Sequence, residues 1–134
     1  MEHLRRIAPP GRVRFVDRYV SDAELPAFFR RAEVLVLPHR NVDVSGVLFA
    51  GLAFGKAMVL SDVGGFRELV DEHGAGVLVP PGDPGELAAA IGRLLADPGE
   101  RRRLEGRAAS AAAGPFSWDR IAAQTASLYE QVSS

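Results

Sequence analysis

The sequence predicts an α/β fold, a three-layer αβα arrangement with helices on both faces of a parallel sheet. Three observations carry the prediction. Short β-branched or apolar runs alternate with helical patterns along the chain. One run, Val34–Leu37 (VLVL), is apolar throughout, as a strand covered on both faces should be. Helix-start signals follow the strand ends closely, at Ser45-Gly46 and Asp83-Pro84.

Taken in order, His3–Pro10 reads as the end of a helix, and Arg12–Val16 (RVRFV) alternates like a strand. Ser21-Asp22-Ala23-Glu24 has the form of a capping box, with Ser21 at N-cap and Glu24 at N3. The helix it opens runs to about Arg31 with Leu25, Phe28 and Phe29 on one face. Val34–Leu37 follows and stops at Pro38, and 39–44 form a loop. Ser45 and Gly46 start a helix that ends at Phe54, with Gly55 at the position where a left-handed backbone is needed.

Met58–Leu60 is the next strand. Ser61–Gly65 turns into a short helix ending near Gly74, and Gly76–Val79 is a strand stopped by Pro80-Pro81-Gly82. Asp83 with Glu86, and Asp97 with Glu100, place an N-cap and an N3 acid at the starts of two helices, each with proline at N1. Leu87, Ile91, Leu94 and Leu95 make the buried stripe of the first, and Leu104 and Ala108 face inward in the second, which runs to Ala113. Ser117 caps a last helix whose stripe is Trp118, Ile121, Ala122, Thr125, Leu128, Tyr129 and Val132, expected to pack in a core.

Composition narrows the function. The chain has 134 residues, which fits one domain, and a formal net charge of −1, which lacks the basic footprint of a nucleic-acid binder. There is no cysteine, so disulfides and thiolate metal sites are excluded. His3, His39 and His73 show no metal-ligand spacing. No apolar run approaches the ~20 residues needed to span a bilayer, and the first residues lack the apolar core of a signal peptide. A soluble, cytoplasmic protein is expected. The Arg101–Arg103 run with Arg107 reads as an exposed helix face, with attachment to an anionic membrane surface the minority reading.

In open parallel sheets, ligands bind outside the carboxyl ends of the strands. Three loops leave such ends here: 38–45, 61–65 and 80–83. Two feed directly into helix amino termini, where free N–H groups and the helix dipole favour an anion such as phosphate. Asp43-Val44-Ser45-Gly46-Val47 is one candidate cradle, and Gly64-Gly65 ahead of Glu68 is the other. For either glycine cluster alone, tight strand-to-helix packing is the competing explanation. His39 and Arg40 read as loop residues, Asp62 as a turn or N-cap residue, and His73 as a helix-end residue. Lys56 reads as a solvated turn charge.

Taken together, these segments resemble the group 1 (family 4) glycosyltransferases, from about residue 12 to the end. Val13–Val20 (VRFVDRYV) and Leu25–Pro38 (LPAFFRRAEVLVLP) match the family's VRFxGxV strand and LPxxYxxAxVxVxPS helix and strand. Residues 42–68 (VDVSGVLFAGLAFGKAMVLSDVGGFRE) match its EGFGxxxxEAMAxGxPVxxSDVGGxxE segment, and Gly76–Ile91 (GVLVPPGDPGELAAAI) its GxLVxPGDxxxLAxAI tail. A nucleotide-sugar epimerase would share the architecture and the Ser-Asp-x-Gly-Gly turn, but the first and last of these segments fit the transferase better.

The resemblance implies a Rossmann-like domain, the carboxyl-terminal part of the nucleotide-sugar-binding half of a two-domain GT-B enzyme. That enzyme would transfer a sugar with retention, with no metal and no other cofactor. The donor site it implies comprises Asp43, Val44, Ser45, Gly46, Val47, Gly64, Gly65 and Glu68. Two departures stand out: the family's motif glutamates fall at Val42 and Ala50. Asp43 is the nearest carboxylate and a candidate for a donor hydroxyl. The family's acceptor domain and the first two strand–helix units, which carry its diphosphate-gripping basic residues, are not in this sequence.

The expectation is therefore a single partial domain over 1–134, with βα units over 12–82 and terminal helices over 83–134, inactive by itself. The alternative is a non-catalytic domain that binds a nucleotide diphosphate or nucleotide-sugar. If Arg12–Val16 and Val34–Leu37 are the third and fourth strands of such a sheet, the two that belong between them are missing. Their edges would then lack partners.

Overall fold

A computed structural model describes residues 2–42 and 45–132. Helices α1 (Glu2–Ile7) and α2 (Leu25–Arg31) precede strand β1 (Val34–Leu37). Then come α3 (Gly46–Ala53), β2 (Ala57–Ser61), α4 (Phe66–His73) and β3 (Val77–Val79), and the chain closes with α5 (Pro84–Ala96), α6 (Pro98–Ala113) and α7 (Trp118–Val132). The three strands form a parallel sheet in the order β1-β2-β3. Val34 pairs with Ala57 and Leu37 with Leu60, while Val59 pairs with Val77 and Ser61 with Val79.

Strand periodicity explains the layers. Alternate residues of β2 face opposite ways. Met58 and Leu60 join Leu48 and Leu52 of α3, Phe66 and Leu69 of α4, and Ala108 and Ala111 of α6 on one face. Ala57 and Val59 join Ala90 and Leu94 of α5 and Leu104 of α6 on the other. All five residues of β2 are buried. The expected three-layer αβα arrangement is present, and α6 contributes to both hydrophobic clusters.

The local signals hold at most boundaries. Asp83 Oδ1 accepts from the amides of Gly85 and Glu86 at 3.0 Å each, and Asp97 Oδ1 from those of Gly99 and Glu100 at 2.9 Å. Gly55 and Gly74 adopt the left-handed conformation, with φ of 59° and 61°, where α3 and α4 end.

Several expectations fail. Arg12–Val16 forms no strand: among the described residues its backbone has no neighbouring strand to pair with, and an isolated strand leaves its polar groups to solvent. The capping box at Ser21 is only half made. The Ser21 amide and hydroxyl both donate to Glu24 Oε2, at 3.2 and 3.0 Å, and the helix begins only at Leu25. Of that helix's apolar residues only Phe29 is buried, stacked on Phe54 with ring centroids 5.0 Å apart; Leu25 and Phe28 stay exposed because the short helix meets the core along one line.

Leu95 is exposed too. The inward stripe of α5 is Leu87, Ala90, Ile91 and Leu94, and one position further turns to solvent. No residue of α7 is buried, and Trp118 is 84% and Tyr129 71% exposed, so its stripe packs in no core of the described chain. Lys56 is no free turn charge: its Nζ donates to the Ala32 carbonyl at 3.0 Å. Arg101 leaves the exposed basic face to donate to the carbonyls of Leu94 and Leu95, at 2.7 and 2.8 Å, at the end of α5.

Glu24 also holds Arg18 in a two-point ion pair, 2.9 and 2.6 Å. The Arg18 guanidinium, followed by the Ser21 amide and hydroxyl, lowers the Glu24 carboxyl to about 2 from an ordinary 4.5. A depressed carboxyl stabilises the fold above its unfolded value and ceases to do so as pH falls through the folded one. The Glu24 carboxylate resonance should therefore titrate near 2, and Arg18→Ala should move it upward, as followed by carbon-detected NMR. In urea denaturation, Gly55→Ala should cost about 1–2 kcal/mol, the penalty of a left-handed side-chain-bearing residue. Gly92→Ala, in the exposed middle of α5 with nothing within 4 Å of the new carbon, should gain about 0.5–1 kcal/mol.

Candidate functional site

Ser45 sits between the loop leaving β1 and the first turn of α3. Its extended backbone (φ −123°, ψ 113°) turns the hydroxyl back to accept from the Leu48 amide at 3.3 Å. That leaves the amides of Gly46 and Val47, which donate to no described residue, as the free donors of the helix end. A side-chain carbon added at Gly46 would meet nothing within 4 Å, so the approach to this backbone is open.

The second turn is built differently. Gly64 takes a φ of 52°, which a residue with a side chain rarely adopts, and Gly65 is the N-cap of α4 with no side chain to cover the amides behind it. Those of Arg67 and Glu68 donate to no described residue. Asp62 pairs with the Arg67 guanidinium, and this bond, then the charge of the same carboxylate, raises the Arg67 pKa. Arg67 is thereby committed to the turn. Glu68, one residue further, has no partner among the described residues and is exposed.

Ser45, Gly65 and Glu68 line one cleft of about 420 Å³. Its floor is Leu48, Phe66 and Leu69, and its far wall comes from the end of the chain: Phe116, Arg120 and Gln124. Arg120 and Gln124 lie one turn apart on α7 and face the same space. Phe116 fixes this wall, with its ring edge-to-face with Phe49 (5.7 Å) and with His73 (5.3 Å). The charges in the cleft are Glu68, Glu72 and Arg120, with the His73 ring 3.8 Å from Glu72. Of the four open amides, that of Glu68 belongs to a residue lining this cleft; with the Arg120 guanidinium, which pairs with no described residue, it can meet an anion, and the Glu68 carboxylate can accept from a hydroxyl.

Of the residues expected at the donor site, the structure brings Ser45, Gly65 and Glu68 together. Gly64 is the adjoining turn residue. Gly46 lines a neighbouring apolar groove of about 540 Å³ with Phe49, Trp118 and Ile121, while Val47 is exposed and lines neither space. Asp43 and Val44 lie outside the described residues. Val42, at the position of a family glutamate, packs against the apolar cluster instead.

His39 lies in a loop as read, but it is half-buried, with its Nδ1 sealed from solvent and without a partner among the described residues, its ring edge-on to Phe66 at 5.8 Å. Phe116, Arg120 and Gln124 were invisible in the motifs because no short spacing links them to the glycine turns. Only the four-residue interval of Arg120 and Gln124 on a helix hints that they share a face. Among the described residues no helix is long and apolar enough to cross a membrane.

A family profile described as "Glycosyl transferases group 1" matches residues 1–97. A D-inositol 3-phosphate glycosyltransferase of Streptomyces bingchenggensis is 35% identical over 133 residues, 97% of this chain and 29% of that protein. An MMP alpha-(1->4)-mannosyltransferase of Mycolicibacterium hassiacum is 39% identical over 113 residues, 84% of this chain and 28% of that protein. The chain thus spans under a third of the length of these curated relatives. Among solved structures, sucrose-phosphate synthase from Thermosynechococcus elongatus superposes with a TM-score of 0.86 at 32% identity, covering 98% of this chain and 33% of that one. Anabaena HepE, solved in complex with UDP, shares the fold with a TM-score of 0.75 at 24% identity, over 81% of this chain and 30% of that one.

The two serine caps separate a structural hydroxyl from a marginal one. Ser45→Ala should lower stability by about 1 kcal/mol, the usual worth of an N-cap. Ser117→Ala, which removes a 3.4 Å contact to the Arg120 amide on a helix with no buried residue, should change it by about 0.5 kcal/mol or less. Urea midpoints of the two variants measure both.

Proposed function

This chain belongs to the group 1 glycosyl transferases, and we propose that it forms the nucleotide-sugar-binding part of an enzyme that transfers a sugar with retention of configuration. The observation that carries the proposal is the convergence of Ser45, Gly65 and Glu68 on one cleft between two helix amino ends. In this reading the donor's diphosphate lies against the first turns of α3 and α4. As the bond from the sugar to the distal phosphate breaks, negative charge grows on the departing oxygen. Fixed amide dipoles and the Arg120 guanidinium stabilise it without reorganising. Amides and one cation meet this charge in the proposal, which includes no metal ion or other cofactor.

Glu68 takes the remaining role. With Val42 and Ala50 at the positions of the family's carboxylates, recognition of the sugar or ribose hydroxyls passes in this reading to Glu68 and to Asp43. Most of the acceptor's contacts in this reading come from the part of the enzyme that the longer relatives carry outside the matched segment, so the chain alone binds donor and does not turn it over. Cytoplasmic placement belongs to the same proposal. The packing of Val42 against the apolar cluster favours a second reading, a domain that binds the nucleotide without catalysis.

The test is a titration of the 15N-labelled chain with UDP and with GDP in chelator-containing buffer. Saturable shifts are expected at the amides of Gly46, Val47, Arg67 and Glu68, unchanged by added magnesium. Glu68→Gln should weaken a nucleotide-sugar more than the bare nucleotide, by about tenfold, the loss of one charge-assisted hydrogen bond. Absence of shifts at both helix ends with both nucleotides would remove the donor reading. Transfer by the longer gene product separates the enzyme from the inert binding domain.

A further inference from the structure

Pro38, Ser61 and Pro80 stand where β1, β2 and β3 end. With Arg40, Asp83 and Leu87 they line a cavity of about 290 Å³ at the carboxyl edge of the sheet. None of its lining residues lines the Ser45–Glu68 cleft. Ser61 is the exception in an otherwise apolar β2. It is only 2% exposed, and its hydroxyl has no partner among the described residues. That hydroxyl borders the cavity and is free to donate to and accept from a polar ligand that enters it.

The other polar groups are equally uncommitted. Asp83 Oδ1 serves the amides of α5, while Oδ2 engages none of the described residues. Arg40 has no carboxylate within ion-pair distance among them. The cavity thus offers one cation, one carboxylate oxygen and one hydroxyl, with the two proline rings and Leu87 as apolar walls. Its charges cancel. An anion drawn by Arg40 meets Asp83, and a cation meets the reverse. A neutral polyhydroxylated ring suits all three groups, because each of its hydroxyls both donates and accepts, and its C–H faces lie on the apolar walls.

We infer that this cavity is a second sugar subsite, holding a pyranose of the acceptor or of the product rather than of the donor. The inference rests on the sugar-transfer reading for the supply of that ring. Binding there does not require the donor cleft.

The probe is methyl α-D-glucopyranoside, titrated into the 15N-labelled chain, with inorganic phosphate and UDP in separate arms. Saturable shifts are expected at the amides of Ser61, Asp62, Gly82 and Gly85. Arg40→Ala and Asp83→Asn should each weaken them about tenfold or more while leaving the UDP response unchanged. Arg40 is exposed and asparagine still caps a helix, so both variants keep the fold.

No shift at these amides, an undiminished response in both variants, or tighter binding of phosphate than of pyranoside at the same amides would each overturn the subsite. A pyranoside response that survives while neither nucleotide binds would sink the donor cleft alone. The reverse pattern would sink only this subsite.

Discussion

Ala57–Ser61 is buried along its whole length, and both its edges are engaged in parallel ladders, to Val34–Leu37 and to Val77–Val79. That constraint organises everything else. A strand so placed must be apolar on both faces, and each face needs its own covering layer. Met58 and Leu60 recruit α3, α4 and part of α6; Ala57 and Val59 recruit α5 and the rest of α6. Because the strands are parallel, every connection returns across a helix, and every strand delivers its carboxyl end to the same edge. The functional groups collect there as a consequence of topology.

What happens at that edge depends on which residues leave it. After β1 the chain turns through His39 and Arg40 before Ser45 caps α3. After β2 it turns tightly through Gly64 and Gly65 into α4, and after β3 Asp83 caps α5. Two of these helix starts leave amides open, whereas Asp83 occupies those of the third. The first pair can therefore meet a negative charge. The third, already supplied with a carboxylate, suits a neutral guest. A single sheet edge thus carries two chemically distinct places.

Much of this was legible in the residues themselves. Asp83 and Asp97 announce their helices because a short acidic side chain ahead of proline has one good local use, and Gly55 and Gly74 mark helix ends because few other residues tolerate the backbone there. Local rules read local events. Arg12–Val16 alternates as a strand does, but a strand exists only with a neighbour, and no alternation supplies one. The stripe on α7 is a true helical periodicity that says nothing about what covers it. Lys56 reaches the Ala32 carbonyl and Arg101 the end of α5 through contacts that only the assembled chain creates. The site divided the same way. Gly65 and Glu68 were visible in a motif, while Arg120 and Gln124 enter the cleft from a helix distant in sequence.

Asp97 ends one helix and begins the next: its amide donates to the Arg93 carbonyl at 3.0 Å while its carboxylate holds the first turn of α6. The Arg101 guanidinium ties the same corner from the other side. No spare residue remains between α5, which covers one face of the sheet, and α6, which reaches both. Such a joint behaves as a bracket and not as a hinge. A displacement of one outer layer is carried across the sheet to the other, so the two hydrophobic clusters share one mechanical fate.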